Sequence, residues 1–402
     1  MKLTEPIVQW KDEIAAIRRD IHAHPELAYE EQRTADLVAQ KLESWGIAVH
    51  RGLGITGVVG VIQGRSNNGR SIGLRADMDA LPMQEANTFA HASRYPGKMH
   101  ACGHDGHTAM LLAAARYLSE HRDFDGTIYL IFQPAEEGFG GAKAMIDDGL
   151  FDRFPMQAVF GMHNWPGMAA GTFGLVKGPI MASSNSFEIV LEGKGAHGAM
   201  PHLGVDPVMA AVQLAQSLQL VITRDRNPLD PAVLSITQIH SGSADNVIPN
   251  EATLRGTVRT FTNETLDLIE QRMREVTEHT AKALNCQTSF TFERRYPPTI
   301  NHAAETEFCA GVMQRIVGPE AVDTAVTPSM GAEDFAFMLQ ERPGCYVWIG
   351  NGQGQHRSAG HGSGPCMLHN GSYDFNDELI PLGATYWVEL AREWLASSET
   401  KA

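Results

Sequence analysis

The chain has 402 residues, which is long for one hydrophobic core and favours two domains. Hydrophobic residues make up 43% and charged residues 20%, the balance of a globular protein rather than a disordered one. Lysine and arginine number 32 against 47 for aspartate and glutamate, so the net charge is −15. No basic run stands out, which argues against nucleic acid or an anionic membrane as a partner.

The N-terminal residues and the cysteines predict a cytoplasmic protein. Asp12 and Glu13 stand where a signal peptide would need its apolar middle. The sequence contains no uncharged apolar run long enough to span a bilayer, so we expect no membrane partner. The five cysteines are an odd number and lie far apart, a pattern typical of free thiols in a reducing compartment.

The first third of the chain alternates predicted helices with predicted strands. Ile14, Ile17 and Ile21 share one face of a helix, and a second helix ends at Gly46. Apolar runs predict four buried strands: "GVVGVI" from Gly57, "SIGLRADM" from Ser71, "TIYLIF" from Thr127 and "AVFGMH" ending at His163. A helix that starts at His107 lies between the second and the third. This alternation indicates an α/β sheet covered by helices on both faces.

The middle of the chain has a different order of elements. From Ser186, the strand "FEIVLEG" is followed by a helix, two strands, a second helix and the strand "TSFTFERR". This β-α-β-β-α-β order is the split βαβ pattern of a small ferredoxin-like domain. We therefore predict an α/β domain with a mixed sheet covered by helices, residues 1–184 and 295–402, interrupted by an inserted ferredoxin-like lid domain, residues 185–294.

The segment "HACGHDGHTA" holds the densest cluster of possible metal ligands. His100, Cys102, His104, Asp105 and His107 lie in a glycine-containing turn just before a predicted helix. Cys-x-His in a turn presents a thiolate and an imidazole to one point, which favours a metal site. The structural alternative makes Asp105 an N-cap and His107 a helix-start residue. No Cys-x-x-Cys pair accompanies the segment, so it does not indicate a zinc finger.

Further ligands are predicted where strands end. In open α/β sheets, sites form outside the carboxyl ends of the strands. Carboxylates and histidines stand at three such ends and in one late segment: Asp77, Asp79, Glu136, Glu137, His163 and His369. Taken alone, His369 would also suit a loop or a core. The convergence of these segments on one rim of the sheet favours a shared site.

The adjacent carboxylates of Glu136 and Glu137 repel each other unless a cation lies nearby. One glutamate can bind a metal ion while its neighbour remains free as a base. In a dinuclear site the ions lower the pKa of water, and a nearby carboxylate can take its proton. The alternative is a solvated acidic turn, which the preceding apolar strand disfavours.

Seven segments, in order, resemble a known family. They are "RADMDALP", "HACGHD", "QPAEEG", "GMHNWP", "GKGAHGAMPHLGVDP", "DNVIPNEATLRGTVR" and "LHNGSYDFND". These segments resemble dinuclear-metal amidohydrolases of the hippurate hydrolase type. Aminoacylases and plant hydrolases of auxin–amino acid conjugates belong with them, and carboxypeptidase G and succinyl-diaminopimelate desuccinylase are more distant. The resemblance covers nearly the whole chain.

The resemblance implies two divalent metal ions per subunit and a general base at Glu136. The ligands it implies are Cys102, His104, Glu137, His163 and His369. Thiolate, imidazole and carboxylate together do not choose among Zn²⁺, Mn²⁺, Co²⁺ and Ni²⁺. The resemblance favours manganese.

The resemblance also implies that the lid domain forms a homodimer; a tetramer stays open. His197 matches a histidine that reaches into the partner subunit's site and steadies the oxyanion. Asn246 and Arg259 match positions that hold the substrate's carboxylate. Without the resemblance, His197 would suit a loop and Arg259 an exposed strand position.

The chain departs from its distant relatives at one motif. They have His-x-Asp where this chain has Asp77-Met78-Asp79, so Asp77 stands in the place of a metal-binding histidine. The resemblance implies that Cys102 replaces that ligand. It keeps Asp79 among the catalytic residues, as a carboxylate that orients a ligand. Whether Asp77 contacts metal stays open.

The resemblance implies hydrolysis of N-acyl amino acids to a carboxylic acid and a free amino acid. A dipeptidase or carboxypeptidase on the same dinuclear site is the alternative within enzymes. A metal-binding protein without activity is the alternative outside them, and a redox role for the Cys102 thiol is the third. The sequence does not identify the acyl group or the amino acid.

Overall fold

The structure, a computed structural model, describes residues 1–397. Its helices are α1 Glu5–Gln9, α2 Lys11–Ala23, α3 Gln32–Ser44, α4 His104–Glu120, α5 Gly141–Asp147, α6 Leu150–Arg153, α7 Pro207–Leu220, α8 Asn263–Ala283, α9 Ala303–Val317, α10 Phe335–Glu341 and α11 Ile380–Ala396. Its strands are β1 Ala48–Leu53, β2 Gly57–Gln63, β3 Ser71–Asp77, β4 Thr127–Gln133, β5 Val159–Pro166, β6 Phe173–Gly174, β7 Gly178–Met181, β8 Ser184–Glu192, β9 Ala196–His197, β10 Ala232–Ser241, β11 Val247–Ile248, β12 Glu251–Thr260, β13 Gln287–Tyr296, β14 Thr299–Asn301, β15 Val322–Asp323 and β16 Gly344–Gly352. None of the helices in this range is both long and apolar enough to cross a membrane.

The described chain divides into two compact units. The first unit contains Met1–Ile180, Ile300–Thr327 and Asp334–Ala402, and the second contains Met181–Thr299 and Pro328–Glu333. The short segment Pro328–Glu333 lies outside the range predicted for the inserted domain. It joins the second unit because the backbone N–H of Ala182 donates to the carbonyl oxygen of Ser329, at 3.1 Å.

The first unit is built on an eight-stranded mixed sheet. Its strand order is β1-β2-β4-β3-β5-β16-β6-β15. The four central strands β4, β3, β5 and β16 run parallel, whereas β1 and β2 pair antiparallel at one edge. Strands β3 and β4 are buried along their whole length, as their continuous apolar runs predict. The predicted α/β fold with a mixed sheet is confirmed.

Helices cover both faces of this sheet. A Cβ atom on Gly383 of α11 would lie 3.0 Å from Met162 of β5 and 2.1 Å from Met110 of α4. A Cβ atom on the preceding strand residue, Gly161, would instead lie 3.3 Å from Phe335 of α10. Consecutive strand residues point to opposite faces, so α4 and α11 lie on one face and α10 on the other.

Helix α4 begins at His104, one turn before the predicted start at His107. The N-cap residue is Gly103, whose φ of 98° a side chain would disfavour. Asp105 is not an N-cap: its carboxylate is fully buried and pairs with Arg18 and His22 of α2. The first turn of α4 is therefore interior, which a sequence pattern based on solvent-facing caps does not anticipate.

The second unit has the predicted βαββαβ order. Its main sheet has the strand order β10-β12-β8-β13, with every pair antiparallel. Along β8, buried and half-buried residues alternate, and the buried side packs against α7 and α8. The side chains of Asp206 and Thr262 cap the starts of these two helices, as their residue types favour.

Candidate metal centre

The candidate centre lies where the parallel strands of the first unit end. Asp77 is the last residue of β3, and Glu136 and Glu137 follow β4 after a short turn. His163 is near the end of β5. Because these strands are parallel neighbours, their carboxyl ends lie at one edge of the sheet, which is where sites form in open α/β sheets.

The residues around the start of α4 supply a first group of ligand atoms. The Sγ atom of Cys102 lies 3.3 Å from Nε2 of His163. The possible ligand atoms of Cys102, His104 and His163 all lie within 4.8 Å of one another, and the three side chains are buried. This spacing is compact enough for one metal ion to contact all three.

A second group shares Cys102 with the first. It consists of Cys102, Glu137 and His369, again with ligand atoms within 4.8 Å of one another. Nε2 of His369 lies 3.3 Å from Oε1 of Glu137. The left-handed backbone of His369, with a φ of 57°, is held by a hydrogen bond from its N–H to the carbonyl oxygen of Ala101. The thiol of Cys102 is thus common to two adjacent groups.

Hydrogen bonds at Nδ1 of His104 and of His163 determine which ring nitrogen is available to a metal ion. Nδ1 of His104 lies 3.2 Å from Oδ1 of Asp79, and the other carboxylate oxygen of Asp79 accepts the backbone N–H of Glu137 at 2.9 Å. Nδ1 of His163 donates to the carbonyl oxygen of Asn164 at 2.7 Å. In both rings the Nε2 atom therefore points to the ligand group. Asp79 thus contacts both the His104 ring and the backbone of Glu137.

The residues present fit divalent cations. Nε2 of His104 is buried and has no hydrogen-bond partner among residues 1–397. Burial lowers the pKa of His104, but the carboxylates of Asp77 and Asp79 outweigh burial and raise that pKa to about 10. The surroundings of Nε2 therefore attract a cation, and thiolate, imidazole and carboxylate together suit a transition-metal ion.

The electrostatics of the other ligand-type groups agree with this fit. Burial raises the pKa of the Cys102 thiol well above its usual range, and the Glu137 carboxylate acts in the same direction. Burial alone would raise the pKa of Glu137, but the hydrogen bond with His369 outweighs it and lowers that pKa. A raised thiol pKa disfavours a free reactive thiolate, which counts against the redox alternative for Cys102.

Glu136 lies beside both groups without belonging to the shared-thiol pair. One oxygen of Glu136 falls within 4.8 Å of ligand atoms of His104 and Glu137. Its side chain is buried, with 7% of the residue exposed. The two adjacent glutamates are therefore not a solvated acidic turn, and the alternative reading of this segment is wrong.

The structure places three further predicted residues in the second unit. His197 is in β9 and pairs with Val247 of β11, and its Nδ1 atom accepts the backbone N–H of Ala199 at 3.0 Å. Asn246 lies beside the same ribbon, and its carbonyl oxygen accepts the N–H of Gly198 at 2.7 Å. This two-stranded ribbon brings His197 and Asn246 close together, although 49 positions would separate them in an extended chain, roughly 160 Å at about 3.3 Å per residue.

Arg259 of β12 is a half-buried cation without an anionic partner. Its guanidinium forms no salt bridge with any of the residues from 1 to 397. Burial lowers the pKa of Arg259, and the positive charge of Arg295 acts in the same direction. Both effects oppose the charge that this side chain carries, so an anion at Arg259 would be stabilised.

Comparison with known proteins identifies the family. The sequence model of peptidase family M20/M25/M40 matches residues 73–393. The chain belongs to this family of hydrolases. It is 40% identical over 395 residues to the hippurate hydrolase of Campylobacter jejuni, covering 98% of this chain and 100% of that protein. It is also 40% identical to thermostable carboxypeptidase 2 of Saccharolobus solfataricus, covering 97% of each chain.

A solved structure agrees with the fold described above. A dinuclear metal-binding peptidase of family M20 from Bacillus subtilis is 33% identical and superposes with a TM-score of 0.83. The superposition covers 97% of this chain and 99% of that chain. The structural similarity therefore agrees with the family match. It extends over both units of the chain.

Arg75 is absent from the sequence predictions, and His107 is named there only as a member of the ligand cluster or as a helix-start residue. Both nitrogens of His107 are hydrogen-bonded, and its ring centroid lies 4.5 Å from that of His163. Arg75 donates to the carboxylate of Asp77 at 2.8 Å. The i, i+3 spacing of His104 and His107 is the only sequence signal that could have placed His107 on the same face of α4.

Proposed function

We propose that the protein hydrolyses N-acyl amino acids to a carboxylic acid and a free amino acid, using two divalent metal ions. The observation that carries this proposal is the sharing of Cys102 between two ligand groups, with the buried carboxylate of Glu136 beside them. Cys102, His104 and His163 would hold one ion, and Cys102, Glu137 and His369 the other. When bound, such ions polarise an amide carbonyl and increase the acidity of water.

Glu136 is the proposed general base. Its carboxylate would accept a proton from the attacking water and then give that proton to the nitrogen of the leaving amine, so that the amide C–N bond breaks and the acid and the amine are released. Burial favours such proton exchange, because water does not surround the carboxylate. Asp79 supports this step indirectly, since its two oxygens hold His104 and the backbone of Glu137.

Three residues of the second unit are assigned to the substrate. His197 is proposed to stabilise the negative charge that develops on the carbonyl oxygen. Arg259 and Asn246 are proposed to bind the α-carboxylate of the amino acid. The half-buried Arg259, without an anionic partner among the described residues, supports this role. A free carboxylate is then a requirement of the substrate.

We propose that the metal is manganese, that the protein is located in the cytoplasm, and that it forms a homodimer. The dimer would form through the inserted lid domain, predicted as residues 185–294. The resemblance of the motifs supports the first and third proposals. The cysteines support the second, because all five are free thiols.

The substitution Glu136→Gln tests the proposal. The variant keeps the size of the side chain and should bind two equivalents of Mn²⁺, as the wild type does. It should lose hydrolysis of benzoyl-glycine by several orders of magnitude, because the amide cannot accept a proton. A variant that retains activity near the wild-type level would show that Glu136 is not the base. A wild-type protein without bound metal and without activity would support the non-catalytic alternative.

A carboxypeptidase or dipeptidase activity is the second candidate, favoured by the similarity to a thermostable carboxypeptidase. Both candidates cleave an amide beside a free carboxylate, and they differ in the acyl part, which carries a free α-amine only in an unblocked dipeptide. Turnover of benzoyl-glycine, acetyl-glycine and unblocked dipeptides by the same manganese-loaded preparation distinguishes them.

A further inference from the structure

His107 is buried beside the candidate centre, yet both of its nitrogens are already engaged. Nδ1 lies 2.6 Å from Oδ1 of Asp77, and Nε2 lies 3.0 Å from the backbone nitrogen of Asn164 and 2.7 Å from its Oδ1. Asp77, His104 and His107 also form a compact group of possible ligand atoms. His107 has no free lone pair in this arrangement, however, so the group is a hydrogen-bonded cluster rather than a third ion site.

A continuous chain of buried hydrogen bonds runs through His107. Arg75 donates to Oδ2 of Asp77 at 2.8 Å, Asp77 accepts from His107, and Nε2 of His107 contacts both the backbone nitrogen and Oδ1 of Asn164. Arg75, Asp77, His107 and Asn164 are each 1% exposed or less. Both oxygens of Asp77 therefore accept hydrogen bonds within this chain.

The chain ends at the backbone that orients His163. The carbonyl oxygen of Asn164 accepts the proton of Nδ1 of His163 at 2.7 Å. This bond places the lone pair of Nε2 toward Cys102, 3.3 Å away. The position of the Asn164 backbone therefore decides where His163 points and which tautomer it adopts.

The pairing between β3 and β5 does not extend to Asn164. Strand β3 pairs with β5 only as far as Arg75 and Gly161. Beyond that point the N–H of Asn164 takes the His107 ring as its acceptor instead of a strand carbonyl. The side chain of Asn164 also leaves no room for a side chain at position 103, because a Cβ atom on Gly103 would lie 2.1 Å from Oδ1 of Asn164.

We propose that His107 is a positioning residue for His163. Through Asn164, it fixes the orientation and tautomer of the His163 ring and so sets the affinity for the ion that Cys102, His104 and His163 hold. This inference rests on the proposed function. It predicts an asymmetric effect, because the second group, Cys102, Glu137 and His369, does not include His163.

Calorimetric titration of the metal-free full-length chain with Mn²⁺ tests the inference. The wild type should bind two equivalents. His107→Leu should lose about 10- to 100-fold in affinity for one equivalent and leave the other unchanged, the usual effect of removing a supporting hydrogen bond. With Co²⁺, the charge-transfer absorption of the Cys102 thiolate should persist, because the second group is intact. Equal affinities for both equivalents in His107→Leu and the wild type would overturn the inference.

A matched control separates positioning from general damage. The hydroxyl of Thr108, the next residue of α4, donates to the backbone carbonyl of Asp77 at 2.8 Å and is equally buried. Thr108→Val should therefore retain both affinities, and loss of the same equivalent by the same factor in this variant would also overturn the inference.

A second variant covers a failure of His107→Leu to fold. The side-chain oxygen of glutamine can accept the N–H of Asn164, so His107→Gln should fold and weaken the same equivalent by a smaller factor. If His107→Gln weakens both equivalents by the same factor, or only the other equivalent, His107 does not position His163. A wild type that binds no metal would instead contradict the proposed function, so the two failures are distinguishable.

Discussion

Arg18 and Asp374 form a buried salt bridge of 2.9 Å, although 356 positions separate them in the chain. The same guanidinium contacts Asp105 at 3.2 Å and Asp377 at 2.8 Å. The Arg18 guanidinium of helix α2 thus forms salt bridges with both the first turn of α4 and the segment before α11. Because Asp105 directly follows His104 and Asp374 lies in the segment that begins with His369, this cluster holds together two parts of the candidate centre.

Removing the Arg18 charge should strongly destabilise the fold. Arg18→Met keeps much of the apolar volume but leaves the carboxylates of Asp105 and Asp374 buried without their cation. We expect a loss of about 3–5 kcal/mol in the free energy of unfolding, measured by urea denaturation. The neighbouring Arg19→Met is the control: its side chain is 52% exposed, and its salt bridge with Asp377 should contribute at most about 1 kcal/mol. Equal losses in the two variants would contradict this expectation.

The stability of the protein should fall as pH rises above neutral, through His22. Burial lowers the pKa of His22, but hydrogen bonds to Asp105 and Glu85 outweigh burial and raise that pKa from 6.5 to about 9. Other charged or titratable side chains near its ring are Arg18, His91 and His100. Since the folded-state pKa is the higher one, the stabilisation is fully present below pH 6.5 and is lost as pH rises through 9.

The His22 contribution is measurable as a difference in slope. Between pH 6 and 9.5, the wild type should lose on the order of 3 kcal/mol more of its free energy of unfolding than His22→Gln does. Urea denaturation at a series of pH values gives both slopes. Parallel curves for the wild type and His22→Gln would show that this imidazole is not the group that titrates.

Gly103→Ala should reduce the stability of the fold by more than backbone strain alone would. Its φ of 98° disfavours a side chain, and the added Cβ atom would lie 2.1 Å from Asn164 Oδ1. Gly97 also has a positive φ, 79°, but a Cβ atom there would have no neighbour within 4 Å. Gly97→Ala should therefore lose only the strain, about 1–2 kcal/mol, and Gly103→Ala distinctly more. Melting temperatures of the two variants compare them directly, and similar values would exclude the steric effect.

Ligand substitutions should have different effects on the two ions because Cys102 belongs to both groups. Cys102→Ser should weaken both equivalents of Mn²⁺, whereas His369→Gln should weaken one and leave the other near its wild-type affinity. The His369 side chain is 55% exposed, so its substitution should not disturb the fold. Calorimetric titration gives both affinities; a single affected equivalent in Cys102→Ser would rule out the shared thiol.

Much of the first unit could be predicted from apolar runs. Strands β3 and β4 are buried on both faces, and between their polar ends their sequences are apolar except for Arg75. The strand-end rule then placed Glu137 and His163 at one edge of the sheet, because it depends only on chain direction in parallel strands. Residues that follow such strands can therefore be assigned to a site without knowledge of distant contacts.

The buried charges could not be predicted in this way. Arg18 follows Ile17 on a helix whose pattern is amphipathic, so an arginine there suggests a solvent-facing position. Its burial depends on Asp105 and Asp374, which no local pattern connects with it. The sequence names His107 in the ligand cluster but does not predict its contacts, since its hydrogen-bond partners come from β3 and β5 rather than from its own helix.

The first unit is discontinuous, and this has a consequence for synthesis on the ribosome. Its early part contains Cys102 and His104, but His369 belongs to the last part of the same unit, beyond the whole inserted unit. A nascent chain therefore carries an incomplete set of donors until almost its full length has emerged. The group of Cys102, Glu137 and His369 can therefore be completed only after the inserted unit has been made, and a product truncated before His369 should fail to retain the second proposed ion.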